Sequence, residues 1–290
     1  MYIRPGGACV LSIFCIAIAV SPADAGPITF STGNPDGLIA TLARTASAGK
    51  LETETADDFV LGTSALISSA SFTGLLTGGA TIANIQNIEI ELYHVFPLDS
   101  TNPPSGHVLT RANSPSDNQF MAFDAILGNI SFTATILSAN FTAANSVAKG
   151  INPSPNQFTG GEGAISGIEV LITVTFATPF LVGAADHNFF RPEVNLGNSG
   201  DFYWLSAPKP IVAPGTPFAS DLQSWIRNDG AGALAPDWLR IGTDITHQGP
   251  FNASFSLTGT TVPEPSTWFL FGAGIAAIGI ARRSRKTSVR

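Results

Sequence analysis

The sequence has 290 residues, 14 of them basic and 21 acidic, for a formal net charge of −7. The central part, residues 26–262, holds 8 basic and 19 acidic residues, a net charge of −11, without any basic cluster. Because phosphate binding requires clustered Lys and Arg, this composition argues against a nucleic-acid partner, and it also disfavours contact with an anionic membrane surface.

Residues 1–25 have the features of a secretory signal peptide. Arg4 precedes an apolar run over residues 8–20, and the run is followed by a small-x-small cleavage pattern at residues 23–25. The run is shorter than the ~20 apolar residues that span a bilayer. Both cysteines of the chain lie in this segment, so cleavage after Ala25 would leave a mature chain without disulfides, thiolate nucleophiles or cysteine zinc ligands.

The period-2 alternation of half-buried strands recurs along the central part of the chain. It is clearest at residues 88–92, 168–176 and 251–257, and weaker at 56–61, 69–75, 130–137 and 202–205. Turn-forming Pro, Gly and Asn separate these segments, and helical periodicity predicts one short helix, from Ser220 as N-cap to Ile226. We therefore predict an all-β fold over residues 26–262, an antiparallel, jelly-roll-like β-sandwich in one domain.

Paired carboxylates are the first candidates for chemistry, because an acidic exported β-protein could hydrolyse sugars. Glu89 and Glu91 share one strand face, although the favoured interpretation is a solvated face, shared by Glu169, with ordinary carboxyl pKa values. Asp57 and Asp58 could offer oxygen ligands to calcium, but they lack the spacing of a calcium loop, and a turn is favoured.

Nucleophile and metal motifs are missing from the sequence. The four histidines are scattered, and no His-x-His, His-Glu-x-x-His, Gly-x-Ser-x-Gly or phosphate-binding loop occurs. Folding could still bring Asp57, Asp186, His187 and Asp201 together. On balance we predict no catalytic residue, no cofactor and no metal site.

Four aromatic residues could contact a glycan: Tyr203, Trp204, Trp225 and Trp238. Exposed rings on a β-sandwich can stack on sugar rings. The favoured alternative is that they fill the core, because large aromatic residues are highly buried on average.

The C-terminal residues 263–290 differ from everything before them. Pro263, Glu264 and Pro265 should form an extended, accessible segment, because proline resists helix and sheet. The apolar stretch 267–281 would give about 22 Å of helix, a marginal span for a hydrocarbon core of about 30 Å. By the positive-inside rule the basic residues after it should stay cytoplasmic: Arg282, Arg283, Arg285 and Lys286.

At these residues the chain resembles the PEP-CTERM proteins of Gram-negative bacteria, whose sorting signal combines a Pro-Glu-Pro motif, a short transmembrane helix and a basic cluster. The resemblance implies that an exosortase recognises the tail and removes it. It also implies a transient inner-membrane anchor, followed by release or attachment at the cell surface or in the extracellular matrix. The resemblance indicates a location and no reaction.

Taken together, the sequence predicts an exported, non-enzymatic surface or matrix protein whose Ser-, Thr- and Asn-rich surface suits association with exopolysaccharide. Two alternatives stay open, a carbohydrate-binding module that uses the four aromatic residues and a secreted polysaccharide hydrolase that uses Glu89 or Glu91.

Overall fold

The computed structural model describes residues 25–47, 49–100, 113–148, 159–208, 223–228 and 238–262. Within Ala25–Val262, which is one compact unit, these residues form fifteen β-strands. In chain order they are β1 (Pro27–Ser31), β2 (Ile39–Leu42), β3 (Glu54–Val60), β4 (Ala65–Leu76), β5 (Asn87–Tyr93), β6 (Met121–Asp124), β7 (Ile130–Ala143), β8 (Asn145–Val147), β9 (Ile165–Val182), β10 (His187–Asn195), β11 (Phe202–Ala207), β12 (Trp225–Arg227), β13 (Leu239–Arg240), β14 (Asn252–Ala253) and β15 (Phe255–Thr261).

The strands of the described part form two sheets. The larger sheet has nine strands in the order β1-β15-β4-β11-β2-β8, with β9 paired to β4, β7 paired to β9, and β14 paired to β11. The smaller sheet has six strands in the order β13-β12-β3-β10-β5-β6. Pairing is antiparallel throughout the described strands except between β2 and β8.

The two sheets pack face to face through one aromatic core. Phe190 of the smaller sheet stacks on Phe255 of the larger sheet with 5.2 Å between ring centroids, and it also meets Phe72 at 6.3 Å. Phe59 contacts Phe255 from the same side at 6.3 Å. The prediction of an all-β protein with antiparallel sheets is confirmed, whereas the jelly-roll-like strand order and the three-part domain division stay predictions.

The predicted alternation explains which side chains enter this core. In β9, Val170, Ile172 and Val174 are fully buried, whereas Thr173 and Thr175 point to the opposite face. All seven segments with predicted strand periodicity fall within or overlap observed strands. Val and Ile favour the pleated, half-buried surface, so local sequence and tertiary packing agree here.

The predicted short helix is wrong where the structure describes it. Trp225 and Ile226 lie in β12, which pairs with β3 and β13. Their side chains join different hydrophobic clusters, as expected for neighbouring residues of a strand. The rest of the predicted helix, residues 220–222, lies outside the described residues, and so does the predicted membrane helix. No helix within the described ranges has the length and apolar character needed to cross a bilayer.

Candidate functional site

The outer face of the larger sheet carries two rows of hydroxyl side chains, which we call the hydroxyl face. Each row crosses the five strands β1, β15, β4, β9 and β7, one residue per strand. The first row is Ser31, Ser256, Ser71, Thr173 and Thr133, and the second is Thr29, Thr258, Ser69, Thr175 and Ser131. All ten are exposed or half-buried, so the rows face solvent.

The spacing of the hydroxyl face follows from sheet geometry. Neighbouring strands lie about 4.8 Å apart, and the two rows are two residues apart along each strand, which is about 6.7 Å. Inside the first row, the hydroxyl oxygens of Ser71 and Ser256 are 2.7 Å apart and form a hydrogen bond. The result is a two-dimensional array of groups that both donate and accept hydrogen bonds.

Charge is nearly missing from the strands that build this face. β1, β4, β7 and β15 contain no Asp, Glu, Lys or Arg, and β9 contains only Glu169, beyond the two rows. This contrasts with the net charge of −11 carried by residues 26–262. The hydroxyl face is therefore a neutral polar patch on a strongly acidic protein.

The two ends of the described unit meet at one edge of the same sheet. The backbone N–H of Gly26 donates to Thr261 Oγ1 at 2.9 Å, and the N–H of Thr261 donates to the Gly26 carbonyl at 2.8 Å. The N–H of Val262 donates to the Ser64 carbonyl at 2.8 Å. The predicted signal-peptide cleavage point and the residue before Pro263 therefore lie side by side, held by the pairing of β1 with β15.

A second candidate lies on the outer face of the smaller sheet, where Arg191 is surrounded by carboxylates; we call Arg191 with its four acids the acid cluster. Arg191 Nη2 lies 2.5 Å from Glu52 Oε1 and 2.8 Å from oxygens of both Glu54 and Glu193. Arg191 Nη1 lies 3.0 Å from Glu91 Oε2. Because the side chain of Arg191 is only 1% exposed, these contacts are screened little by water.

Arg227 joins the acid cluster from β12. Its guanidinium bonds to Glu54, and it lies over the ring of Trp238 at 4.5 Å from the centroid. Tyr93 contributes its hydroxyl group, which donates to Glu91 Oε2 at 2.5 Å. The centre of this outer face is therefore a buried ionic layer, and Glu89 and Glu91, which we expected on a solvated face, are half-buried beside it.

The pKa values of Glu193 and Glu54 are shifted in opposite directions, because burial dominates at Glu193 and the nearby cations dominate at Glu54. Burial raises the pKa of Glu193 well above its ordinary value, and although Arg191 opposes this effect, nearby acids such as Glu52 reinforce it. Burial also acts to raise the pKa of Glu54, but the charges of Arg191 and Arg227 outweigh it, and that pKa is lowered. Glu193 is therefore the acid of the cluster most easily kept protonated.

The other predicted acids also depart from solvated behaviour. Glu89 pairs directly with Glu193 across the strands, and burial raises its pKa with help from Asp124. Glu169 is 8% exposed, and burial raises its pKa as well. Strand alternation alone places these residues on the outer face, but it does not show that other segments cover that face.

A raised and a lowered carboxyl pKa side by side is the pattern of an acid–base pair in catalysis. Here, however, Glu193 is fully buried and Glu54 is 2% exposed. Open cavities of about 250 Å³ beside Gly78 and about 370 Å³ beside His247 lie elsewhere and are not lined by the cluster. Within the described residues, the two acids with shifted pKa values are therefore enclosed, whereas Glu52 and Glu91 at the margin of the acid cluster are 28% and 15% exposed.

Asp57 and Asp58 lie in β3 and are buried, so the expected turn is wrong. Asp57 accepts hydrogen bonds from the Ser224 hydroxyl at 2.9 Å and from the Ala253 N–H at 3.0 Å. Burial raises the pKa of Asp57 well above its ordinary value, with help from the charge of Asp58. Asp58 Oδ2 lies 2.5 Å from Nε2 of His187.

Of the four residues Asp57, Asp186, His187 and Asp201 that folding could bring together, His187 contacts Asp58, the chain neighbour of Asp57. Asp201 instead forms ion pairs with Arg44 at 2.7 Å and with Lys50 at 2.9 Å. Within the described ranges, no three His, Cys, Asp or Glu side chains are grouped to hold a metal ion.

The aromatic glycan candidates are buried. Trp204, Trp225 and Trp238 are 0% exposed, and Tyr203 is 9% exposed. Trp204 packs in the main core against Phe190, and Trp225 and Trp238 pack with Tyr93 on the other side of the smaller sheet. Their burial agrees with the core interpretation and leaves no ring face on which a sugar could stack.

Arg191 and Glu193 were not singled out from the sequence, although a signal was present. Strand β10 reads HNFFRPEVN, in which Arg191 and Glu193 alternate with the core residues Phe190 and Val194. Opposite charges two residues apart on one strand face could have been taken as an ionic site. The contacts with Glu52, Glu54 and Arg227 depend on long-range pairing and have no local signal.

Comparison with known proteins identifies the C-terminal segment. The model of the PEP-CTERM protein-sorting motif matches residues 261–286, a range that starts at the last residue of β15 and contains Pro263, Glu264, Pro265 and the four basic residues that follow the apolar stretch. Residues 263–286 lie outside the described part of the chain. No curated protein and no solved structure matches the sequence.

The motif implies a chain that is exported, processed by an exosortase at the membrane and then displayed on the cell surface. It accounts for 26 residues and does not describe the strand-rich unit that precedes it. The chain thus carries a PEP-CTERM protein-sorting motif at residues 261–286, which supports its identification as an exosortase substrate.

Proposed function

We propose that the mature chain is a non-enzymatic protein of the cell surface or extracellular matrix that associates with exopolysaccharide through the hydroxyl face. The observation that carries this proposal is the pair of hydroxyl rows across β1, β15, β4, β9 and β7. The sorting motif supplies the location, because an exported and displayed chain meets the polysaccharide outside the cell.

The chemistry of the face suits a hydrated sugar polymer. Ser and Thr hydroxyls both donate and accept, as sugar hydroxyls do, so either partner can adapt to the other. A single such bond contributes only about 0.5–1.5 kcal/mol, but ten side chains in a regular array offer many at once. Because the face is neutral, an acidic polysaccharide would meet less repulsion here than on the rest of the acidic surface.

Co-sedimentation of the processed chain with the host's own exopolysaccharide tests the proposal. A triple variant Thr173→Val, Thr175→Val and Thr258→Val keeps the β-branched shape and removes three hydroxyls. We expect it to bind at least about tenfold more weakly, since three bonds of this size exceed 1.4 kcal/mol. Thr63→Val is the matched control, because Thr63 is exposed in the β3–β4 turn, outside the face. Equal binding by the triple variant and the control would reject the hydroxyl face as the site.

A polysaccharide hydrolase is the second candidate, and the opposite pKa shifts of Glu54 and Glu193 favour it. Their burial weighs against it, because a general acid must reach the scissile bond. We expect the processed chain to leave the length of the exopolysaccharide unchanged, as measured by size-exclusion chromatography. Shortening that disappears in a Glu193→Gln variant would instead establish the hydrolase.

A further inference from the structure

Strand β7 lies at an edge of the larger sheet. Among the described residues it pairs with β9 and with no other strand, so one side of its backbone has no sheet partner. It runs for 14 residues, and none of them is charged, Pro or Gly. Natural sheets usually protect such edges with charges, prolines or bulges, because an open edge is a template for another strand.

The first half of β7 is the part best suited to pairing. Its ladder with β9 is regular from Ile130 to Ile136, and the register shifts after Ile136 and again after Ser138. The regular stretch reads ISFTATI, seven residues rich in β-branched and aromatic side chains and without charge. This composition is typical of segments that pair with copies of themselves.

We propose that this edge pairs with the same edge of a second copy of the chain, antiparallel and around a two-fold axis through Thr133. Such a pairing places the two Thr133 residues opposite each other, Ser131 opposite Thr135, and Phe132 opposite Ala134. Ile130 then meets Ile136 at each end of the ladder. The arrangement is isologous, so one segment supplies both halves of the interface.

The side chains on each face of β7 match their counterparts in this register. On the inner face, Ile130 is 4% exposed, whereas Ile136 is 47% exposed and would be covered by Ile130 of the second copy. On the outer face, Ser131, Thr133 and Thr135 form hydroxyl pairs, which stabilise antiparallel strands. The row that ends at Thr133 would continue directly into the same row of the second copy.

The exposed apolar residues near the edge also fit pairing with a second copy of the chain. Leu137 is 51% exposed and follows the regular stretch, whereas Ile126 and Leu127 precede it and are 72% and 76% exposed. In the antiparallel register, Leu137 of one copy lies opposite Asn129 of the other copy, and Leu127 of that other copy is two residues before Asn129. Pairing would therefore bring these apolar groups together at both ends of the interface.

Charge favours a second copy at this edge over contact elsewhere on the protein. Two copies that each carry about −11 over residues 26–262 repel one another across most of their surfaces. At the proposed edge the repulsion is smaller, because the five strands of the hydroxyl face contain a single acid, Glu169 of β9. The proposal does not depend on polysaccharide binding.

Cysteine cross-linking tests the register, because the two natural cysteines lie in the signal peptide segment. Residues directly opposite in an antiparallel pair have Cα atoms about 4.5–5.5 Å apart, within the range of a disulfide. We expect processed Thr133→Cys chain to form a covalent dimer in oxidised glutathione. Thr175→Cys, inside the sheet, and Thr142→Cys, beyond the register shifts, should stay monomeric. Equal cross-linking of all three, or none by Thr133→Cys, would overturn the proposal.

Charge reversal gives a second, independent test by sedimentation velocity. The unchanged processed chain should dimerise, and Thr133→Lys or Thr133→Asp should each associate at least about tenfold more weakly, because like charges would lie opposite each other. Mixing these two variants should restore dimers, which a merely destabilised fold would not do. Thr175→Lys should dimerise normally. A monomeric unchanged chain at about 0.1 mM, or no recovery on mixing, would refute pairing through this edge.

Discussion

Replacing Arg191 with Met should strongly destabilise the protein, because Arg191 is the cation shared by the four acids of the acid cluster. The side chain of Arg191 is 1% exposed and contacts oxygens of Glu52, Glu54, Glu91 and Glu193 at 2.5–3.0 Å. Methionine fills much of the volume but leaves these acids without their shared cation. Removing one partner from a buried ionic group costs about 3–5 kcal/mol, and whole domains have only about 5–15 kcal/mol of stability.

The expected loss depends on pH, and its direction follows from linkage. Arg191 acts to lower the pKa values of Glu54 and Glu193, so without it these folded-state pKa values rise and the folded state binds more protons than the unfolded chain. The free energy of unfolding then falls as pH rises above about 4.5. We therefore expect Arg191→Met to lose about 3–5 kcal/mol at pH 7 and clearly less at pH 5.

Urea unfolding monitored by tryptophan fluorescence measures this loss, because Trp204, Trp225 and Trp238 are fully buried in the folded protein. Lys50→Met is the control, since Lys50 makes an ion pair with Asp201 at 2.9 Å, both side chains are about a quarter exposed, and Asp201 keeps its ion pair with Arg44. That change should cost less than about 1 kcal/mol.

Adding Glu193→Gln to Arg191→Met should recover part of the lost stability, because the double variant has one carboxylate fewer that is left without its cation. The reasoning about the acid cluster is refuted if Arg191→Met costs less than about 1 kcal/mol. A loss that is equal at pH 5 and pH 7 would refute it as well.

Three further expectations concern the ionic layer, the core and the processing site. Glu193→Gln alone should flatten the fall in stability between pH 5 and pH 8, because burial raises the pKa of Glu193; an unchanged pH slope in urea titrations would contradict this. Val170→Asp or Phe255→Asp should abolish the β-type circular dichroism spectrum, since both residues are at most 2% exposed and an unpaired buried charge costs several kcal/mol; a folded variant would argue against the assigned core. Inserting six Gly and Ser residues between Val262 and Pro263 should speed loss of the tail in the native host, because Val262 is hydrogen-bonded into the fold; unchanged or slower precursor processing on immunoblots would contradict that.

The strands of the core were predictable because their information is local. Val170, Ile172 and Val174 alternate with Thr173 and Thr175, so the periodicity of the sequence is the periodicity of burial. The prediction of a short helix was wrong because β12 has only three residues, too few to distinguish helical from strand periodicity. Pairing with β3 makes this segment a strand. The hydroxyl composition was visible in the sequence, but its rows depend on the register of five strands.

The ionic layer could not be predicted from the same alternation. Glu89 and Glu91 do face away from the core, as the pattern indicates, but Arg191 reaches Glu91 from β10, and Arg227 reaches the Tyr93 hydroxyl from β12, both from strands far away in the sequence. Burial of that face depends on segments that fold over it. The carbonyls of Ser116 and Asp117, for example, accept hydrogen bonds from Trp238 and Arg227. Such packing has no signature within one strand.

The intact mass of the protein isolated from its native host tests the central claim most directly. An exosortase substrate should lose its tail after export, so the mass should correspond to a chain that begins near Gly26 and lacks the segment from Trp268 to Arg290. Replacing Glu264 with Ala should leave the precursor in the inner membrane, whereas Lys286→Ala should have little effect, because neighbouring arginines keep the cluster basic. A mature protein that still carries Arg290 would contradict the account.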